Sequence, residues 1–360
     1  MVFTSSLRPR FAAPYTIEEN RDDLMAPTVA SSPTINDPLL VRTPLDHEGI
    51  YYPYGFPVRI RSNSPITLQA ADVSWSTYKK RFDFAPLDVR LLVSDSDTPG
   101  RKEPGVFRSQ GHLLSIVGDS ENFACLDLKG GFSFGWVTRG TAENTEYFRQ
   151  CFLDVMIYPL IEIRHLVTIH AACVLCNGRG LLLAGDSGAG KSSLAYACGR
   201  RGWTYVSDDA SAFVRNAGKP LIIGHPQKFR FREPVGELFP EFRGLKSSIR
   251  AYGKPTIEVR TRSLQDFRTA DQGVVDAIVF LNRGAYQSGP PVLLPVAADD
   301  LWKRLSFSVW AVQMPEYEER LAGVRELMKV PAYEMRYQDL GQAVDLLETL
   351  AAPNVDEAVA

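Results

Sequence analysis

Short apolar runs broken by turn residues fill the front half of the chain, and wider helical stripes fill the last third. From Phe56 on, residues 58–61, 89–93, 113–117, 123–128 and 132–137 read as strands, with Gly118-Asp119 and Gly130-Gly131 as punctuation. A helix is expected next, with Thr141 as its N-cap and Phe148, Phe152 and Val155 as one apolar stripe. Residues 166–174 then form an apolar run carrying His170. Asn177-Gly178 follows, a tight-hairpin signal, and the chain returns through the buried run 180–184. A helix to about Arg201, capped by Gly202, leads to a strand at 203–206. Residues 274–281 read as another buried strand, ended by Asn282-Arg283-Gly284. Leu321, Val324 and Met328 form one late helical stripe, and Val344, Leu347 and Ala351 another. These elements predict an α/β domain over 161–352 with a β-rich domain over 46–160 before it. Residues 1–45, rich in Pro, Ser, Thr and Asp, predict a disordered or loosely packed arm, and 353–360 a tail.

Between the strand at 180–184 and the following helix lies Gly185, Asp186, Ser187, Gly188, Ala189, Gly190, Lys191 and Ser192, then Ser193. This run meets the G-x-x-x-x-G-K-[ST] pattern in its proper strand–loop–helix setting. Such glycines let backbone N–H groups turn inward onto phosphate oxygens, and the helix N-terminus adds positive potential. Lys191 contributes a mobile charge, and the Ser192 hydroxyl suits Mg²⁺.

Composition narrows the field. The 360 residues are 45% hydrophobic and 23% charged, with a net charge of −2, ordinary for a soluble globular protein. Bulk attraction to nucleic acid or an anionic membrane is not expected. No apolar run is long enough for a bilayer and no signal-peptide core is seen, so a cytoplasmic location is expected. The five cysteines imply no disulfide framework. Cys173 and Cys176, although spaced C-x-x-C, sit in an apolar run as small buried hydrophobes.

Asp208 and Asp209 follow Lys191 by 17 and 18 residues, room for one helix and one strand. That spacing puts two carboxylates at a strand end beside the phosphate loop, where open α/β sheets bind ligands. One can hold Mg²⁺; the other can take the proton of an attacking hydroxyl. His170 is placed to orient a carboxylate or respond to phosphate charge. In Lys228-Phe229-Arg230-Phe231-Arg232, alternation sets the aromatics on one strand face and the cations on the other, facing either solvent or an anionic ligand. Lys254 and Arg283 are weaker cations of the same kind.

The order Ile169-His170-Ala171-Ala172, the loop from Gly185 to Ser193, Arg201-Gly202-Trp203 and Ser207-Asp208-Asp209 resembles the bacterial HPr kinase/phosphorylase family and its HPr-kinase-like relatives. The specific match runs from 168 to 209. The resemblance implies a phosphoenolpyruvate carboxykinase-like P-loop fold with a mixed sheet, to which an antiparallel hairpin feeding the loop belongs. It implies that residues 185–193 hold the nucleotide phosphates and that Ser192 and Asp209 serve the metal. Asp208 would be the general base, supported by His170, with Lys191 completing the catalytic set. The family's E-[IV]-R-G-x-G signature is met only by Glu241-Phe242-Arg243-Gly244-Leu245-Lys246, with lysine for the last glycine; it implies Glu241 as a further metal ligand. Relatives often form homo-oligomers.

The expected activity is an ATP- and Mg²⁺-dependent transfer of the γ-phosphoryl group to a hydroxyl, preferably serine, of a protein, peptide or amino acid. Two other readings stay open: a small-metabolite P-loop kinase, and an ATP-binding regulator without catalysis.

Overall fold

The computed structural model describes residues 37–101, 105–233, 235–248, 255–286, 288–309 and 316–352. The expected arm therefore lies mostly outside the described residues, as do Lys254 and the tail at 353–360. The chain divides into two units, Met1–Leu160 and Ile161–Ala360. Among the described residues, no helix is long and apolar enough to cross a membrane.

The first unit is a seven-stranded sheet. Its strands are β1 (His47–Tyr51), β2 (Val58–Ser62), β3 (Leu87–Ser94), β4 (Val106–Gln110), β5 (Leu113–Val117), β6 (Phe123–Asp127) and β7 (Phe132–Thr138), in the order β1-β2-β3-β7-β6-β5-β4. The β2–β3 and β3–β7 pairs are parallel and the rest antiparallel. Burial alternates along the strands. Val58, Ile60, Val89, Leu91, Ile116, Ala124, Leu126 and Val137 face the core, as the two-residue period requires.

One helix here was not visible in the sequence pattern: α1 (Pro65–Trp75), capped by Ser64, whose side chain accepts from the Ile66 N–H. Its buried face is built from Thr67, Ala70 and Ala71, small residues that leave no apolar stripe before Trp75.

The single helix expected from Thr141 is instead a series of pieces. Thr138 is the first cap, accepting from the Thr141 N–H at 3.1 Å, and Thr141 lies buried inside α2 (Arg139–Glu143). Asn144 restarts the chain as α3 (Thr145–Phe148), and a π-turn over Arg149–Leu153 leads into α4 (Asp154–His165). Each side-chain cap offers the backbone an alternative to continuing the previous helix. The stripe still buries as expected, with Phe148, Phe152 and Val155 all in the core.

In the second unit, the apolar run at 166–174 is two strands, β8 (Leu166–Ile169) and β9 (Ala171–Cys176), with His170 at the break. Then come β10 (Arg179–Ala184), α5 (Lys191–Arg200), β11 (Thr204–Ser207), β12 (Ser211–Val214), β13 (Leu221–Ile223), β14 (Lys228–Phe231), α6 (Val235–Leu238), β15 (Ile257–Arg260) and β16 (Gln272–Leu281). The chain ends in β17 (Val292–Pro295), α7 (Ala298–Ser306), α8 (Tyr317–Leu327), β18 (Ala332–Arg336) and α9 (Leu340–Ala351). Nine strands make one mixed sheet, ordered β11-β9-β10-β16-β13-β12-β8, with β18 on β16 and β17 on β18. β14 and β15 pair separately.

The β9–β10 hairpin turns at Asn177 and Gly178, both at positive φ (51° and 81°), as a primed two-residue turn needs. β10 is flanked by antiparallel β9 and parallel β16, and β16 in turn by parallel β18. β10, β16 and β18 therefore end on the same edge of the sheet. Alternate residues of β10 feed two cores. Leu181 and Leu183 pack with α5 and α9, while Leu182 and Ala184 pack with α7 and α8. That two-sided burial explains why 180–184 reads as an unbroken apolar run.

Candidate functional site

The loop after β10 is shaped by glycine. Gly185, Gly188 and Gly190 have φ of 149°, 92° and 97°, values that L side chains rarely adopt. A Cβ on Gly185 would come within 3.1 Å of the Leu281 carbonyl oxygen, so the end of β16 presses on the loop. A Cβ on Gly188 would meet nothing within 4 Å. Gly190 is the N-cap of α5 and offers no side chain to its first-turn N–H groups, which begin at Lys191, Ser192 and Ser193. Uncapped donors, glycine backbone and a helix N-terminus together suit phosphate oxygens.

Lys191 is buried. Its ammonium donates to the carbonyl oxygens of Gly185 (2.7 Å) and Asp186 (3.1 Å). Burial pulls its pKa down, and the charges of Asp209, Asp186 and Asp208 push back. Both expected carboxylates are thus within electrostatic reach of the loop lysine.

β11 delivers the Asp pair. Its end is fixed by Ser207 and Ser211, whose hydroxyls share a hydrogen bond at 2.6 Å, while Ser211 donates to the Ala171 carbonyl. From there the two aspartates diverge. Asp208 is 7% exposed, and its Oδ2 accepts the Arg230 backbone N–H at 2.7 Å. Burial raises its pKa from 3.8 to about 6, the Asp209 charge adds to the rise, and the Arg230 N–H opposes it. Asp209 is 53% exposed. His170 sits against Asp209, with Nδ1 at 3.0 Å from its carbonyl oxygen and 3.3 Å from Oδ1. A carbonyl only accepts, so Nδ1 carries the proton. Burial, then the charge of Lys191, lowers the His170 pKa and keeps the ring neutral.

Glu241 is not brought to this group. It lies in a 3₁₀ turn over Pro240–Phe242, accepts from the Tyr196 hydroxyl at 2.9 Å and pairs with Arg200 at 3.4 Å. Tyr196 and Arg200 are about one and two turns along α5 from Ser192. Among the described residues, no cluster of three or more His, Cys, Asp and Glu side chains forms a metal site.

The basic run at 228–232 divides as its alternation predicts. Phe229 and Phe231 are buried, Phe229 stacked on Tyr205 at 4.0 Å. Lys228 and Arg230 both donate to Glu258, at 2.9 and 3.2 Å. Arg232 instead donates to the loop hydroxyl of Ser187 at 2.6 Å. The sequence pattern did not single out Tyr337, whose hydroxyl donates to the Ala189 carbonyl at 3.3 Å and whose ring lies under Arg283 at 5.8 Å. It follows β18, which no local motif marked.

No protein-family model matches the chain. Two curated sequences do. It is 32% identical over 102 residues to a protein of Oceanobacillus iheyensis named as an HPr kinase/phosphorylase 2, covering 28% of this chain and 32% of that one. It is 28% identical over 144 residues to the HPr kinase/phosphorylase of Shouchella clausii, covering 39% and 40%. The chain thus spans about a third to two fifths of the length of these relatives. The solved Hpr(Ser) kinase/phosphatase of Coxiella burnetii overlays 51% of this chain and 87% of its own at 15% identity. Its TM-score of 0.29 makes that a loose likeness. In sequence, part of the chain is HPr-kinase-like.

Proposed function

We propose that the chain is an ATP- and Mg²⁺-dependent kinase of the HPr-kinase-like class, acting on a hydroxyl, preferably a serine, of a protein partner. The carrying observation is Asp208: a buried carboxylate with a pKa raised to about 6, one residue from the exposed Asp209 and within the field of Lys191. A carboxylate tuned toward neutrality suits a general base better than a residue that only binds. The relatives' names supply the acceptor class, a protein. A peptide or free amino acid would present the same hydroxyl.

Each residue then has a task. The N–H groups of the loop from Gly185 to Ser193 orient the phosphates, and Lys191 leaves its loop carbonyls to meet their charge. Asp208 accepts the proton as the acceptor oxygen attacks. Neutral His170, donating to Asp209, fixes that residue rather than Asp208. The donors present fit Mg²⁺, which favours one or two carboxylates plus substrate phosphates over a full protein cage. Ser192 and Asp209 would hold it, and once bound it would neutralise phosphate charge. Glu241, engaged by Tyr196 and Arg200, is left out of this set.

The hairpin feeding the loop and the mixed sheet support the phosphoenolpyruvate carboxykinase-like form of P-loop domain, with the boundaries 161–352. A cytoplasmic location and a homo-oligomeric state accompany the reading. Incubation with γ-labelled ATP and a lysate of the source cell tests it. Label in a discrete polypeptide, lost in Asp208→Asn with ATP binding kept, is expected. Label confined to small molecules would move the assignment to a metabolite kinase. No transfer with intact ATP binding would leave a regulator.

A further inference from the structure

Three cations line the outer face of β14 and its exit, but their surroundings differ. Lys228 and Arg230 share Glu258. Arg232, just past the strand end, is exposed, and among the described residues it has no carboxylate partner. Its hydrogen bond goes to Ser187, the third residue of the phosphate loop. It is close enough to Lys191 and His170 for its charge to disfavour theirs. Arg232 and Lys191 face one loop and repel each other, an effect set against the attraction of Lys191 to Asp209, Asp186 and Asp208. That arrangement is relieved by an anion placed between them.

Which part of a nucleotide would do this follows from where Arg232 is rooted. Two residues earlier, the Arg230 N–H holds Asp208 at 2.7 Å. Arg232 therefore reaches the loop from the side of the base. The phosphoryl group to be transferred has to lie on that side, between Asp208 and the loop. A guanidinium offers a planar fork matched to two phosphate oxygens, and its charge is permanent. We infer that Arg232 leaves Ser187 to bind the terminal phosphate of a nucleoside triphosphate, and so distinguishes a triphosphate from a diphosphate. This rests on the nucleotide-dependent reading of the site and adds to it a residue that reads the terminal phosphate.

The test is calorimetric titration of the full chain with ATP and, separately, ADP, both with Mg²⁺, for the parent, Arg232→Gln and Arg232→Lys. A charge-assisted bond made only to the third phosphate should appear as a loss of about tenfold or more in ATP affinity for Arg232→Gln. ADP affinity should stay within about twofold. Arg232→Lys, which keeps the charge without the fork, should fall between. Thermal melts identical to the parent's would show that the exposed substitution leaves the fold intact. Equal losses for ATP and ADP, or no loss for either, would overturn the role of Arg232 while leaving the kinase reading standing. If the parent binds neither nucleotide, both fail together.

Discussion

Asp208→Asn should make the protein more stable at neutral pH while abolishing transfer, and the size of the gain can be worked from the burial of the carboxylate. Asp208 is 7% exposed, and its pKa rises from 3.8 to about 6. A raised acidic pKa means that the folded state resists ionisation. The associated stability is present in full below about pH 4, falls as pH rises, and is gone above about pH 6. The ionised carboxylate thus burdens the fold at pH 8 by about 3 kcal/mol. Asparagine carries no charge, and its carbonyl oxygen can still accept the Arg230 N–H. Against the gain, its amide brings N–H donors into a buried site, at about 1–2 kcal/mol. The net expectation is a stabilisation of about 1–2 kcal/mol at pH 8 that reverses to a destabilisation of about 1 kcal/mol near pH 4, where only the amide cost remains. Urea unfolding of both proteins at pH 8, 6 and 4, without nucleotide or Mg²⁺, measures it. Every other titrating group is common to the two proteins, so their difference isolates Asp208. A difference that does not change with pH, or a variant less stable than the parent at pH 8, would refute the buried, proton-holding carboxylate.

Gly188→Ala and Gly190→Ala both force an L residue to positive φ, a strain of about 1–3 kcal/mol offset by about 0.4–1 kcal/mol of lost chain entropy. Gly190→Ala should be the more destabilising in urea unfolding, because its Cβ would also press the buried Tyr337 hydroxyl at 3.0 Å; equal losses would show that this contact is slack. Gly180→Ala puts a Cβ 2.0 Å from the Val274 carbonyl oxygen and should destabilise the β10–β16 pair by about 3 kcal/mol or more, read from the same unfolding curves. Glu241→Gln should leave phosphoryl transfer within about threefold, because it disturbs only partly exposed contacts with Tyr196 and Arg200; a loss of a hundredfold would make Glu241 a ligand after all. His225, whose pKa burial lowers from 6.5 to about 4, should confer stability that is complete above pH 6.5 and lost as pH falls toward 4; His225→Gln should flatten that part of the stability–pH curve.

What the sequence made legible was local backbone geometry carried by neighbours in the chain. The glycine loop after β10, the hairpin turn at Asn177-Gly178 and the Asp pair each need only a few adjacent residues, and the backbone demands of the two turns are written in glycine and asparagine. The two faces of 228–232 were legible for the same reason, since alternation is a local property. Partners set by the fold were not. Nothing near Asp208 announces that the Arg230 N–H will hold it, and nothing in 228–232 says that only Arg232 escapes Glu258. His170 was expected to serve Asp208, but the break between β8 and β9 turns its ring to Asp209. The helix at 65–75 was hidden because small residues bury without leaving a stripe.

These long-range ties converge on one short strand. The inner face of β14 packs Phe229 and Phe231 edge-on to Tyr196 of α5, at 5.5 and 5.6 Å, so the strand is fixed to the helix that starts at Lys191. Its backbone holds Asp208, and its exit residue Arg232 holds Ser187. The helix, the carboxylate and the glycine loop therefore share a common support. A site that must place a base against a phosphoryl group within fractions of an ångström needs such support, because loops alone do not hold their geometry. The apolar face of β14 sets the position, and its backbone and exit residue carry that position to Asp208 and Ser187. On the proposed kinase reading, a cavity-forming change at the buried Phe229 should therefore lower transfer through Asp208 and Arg232 together.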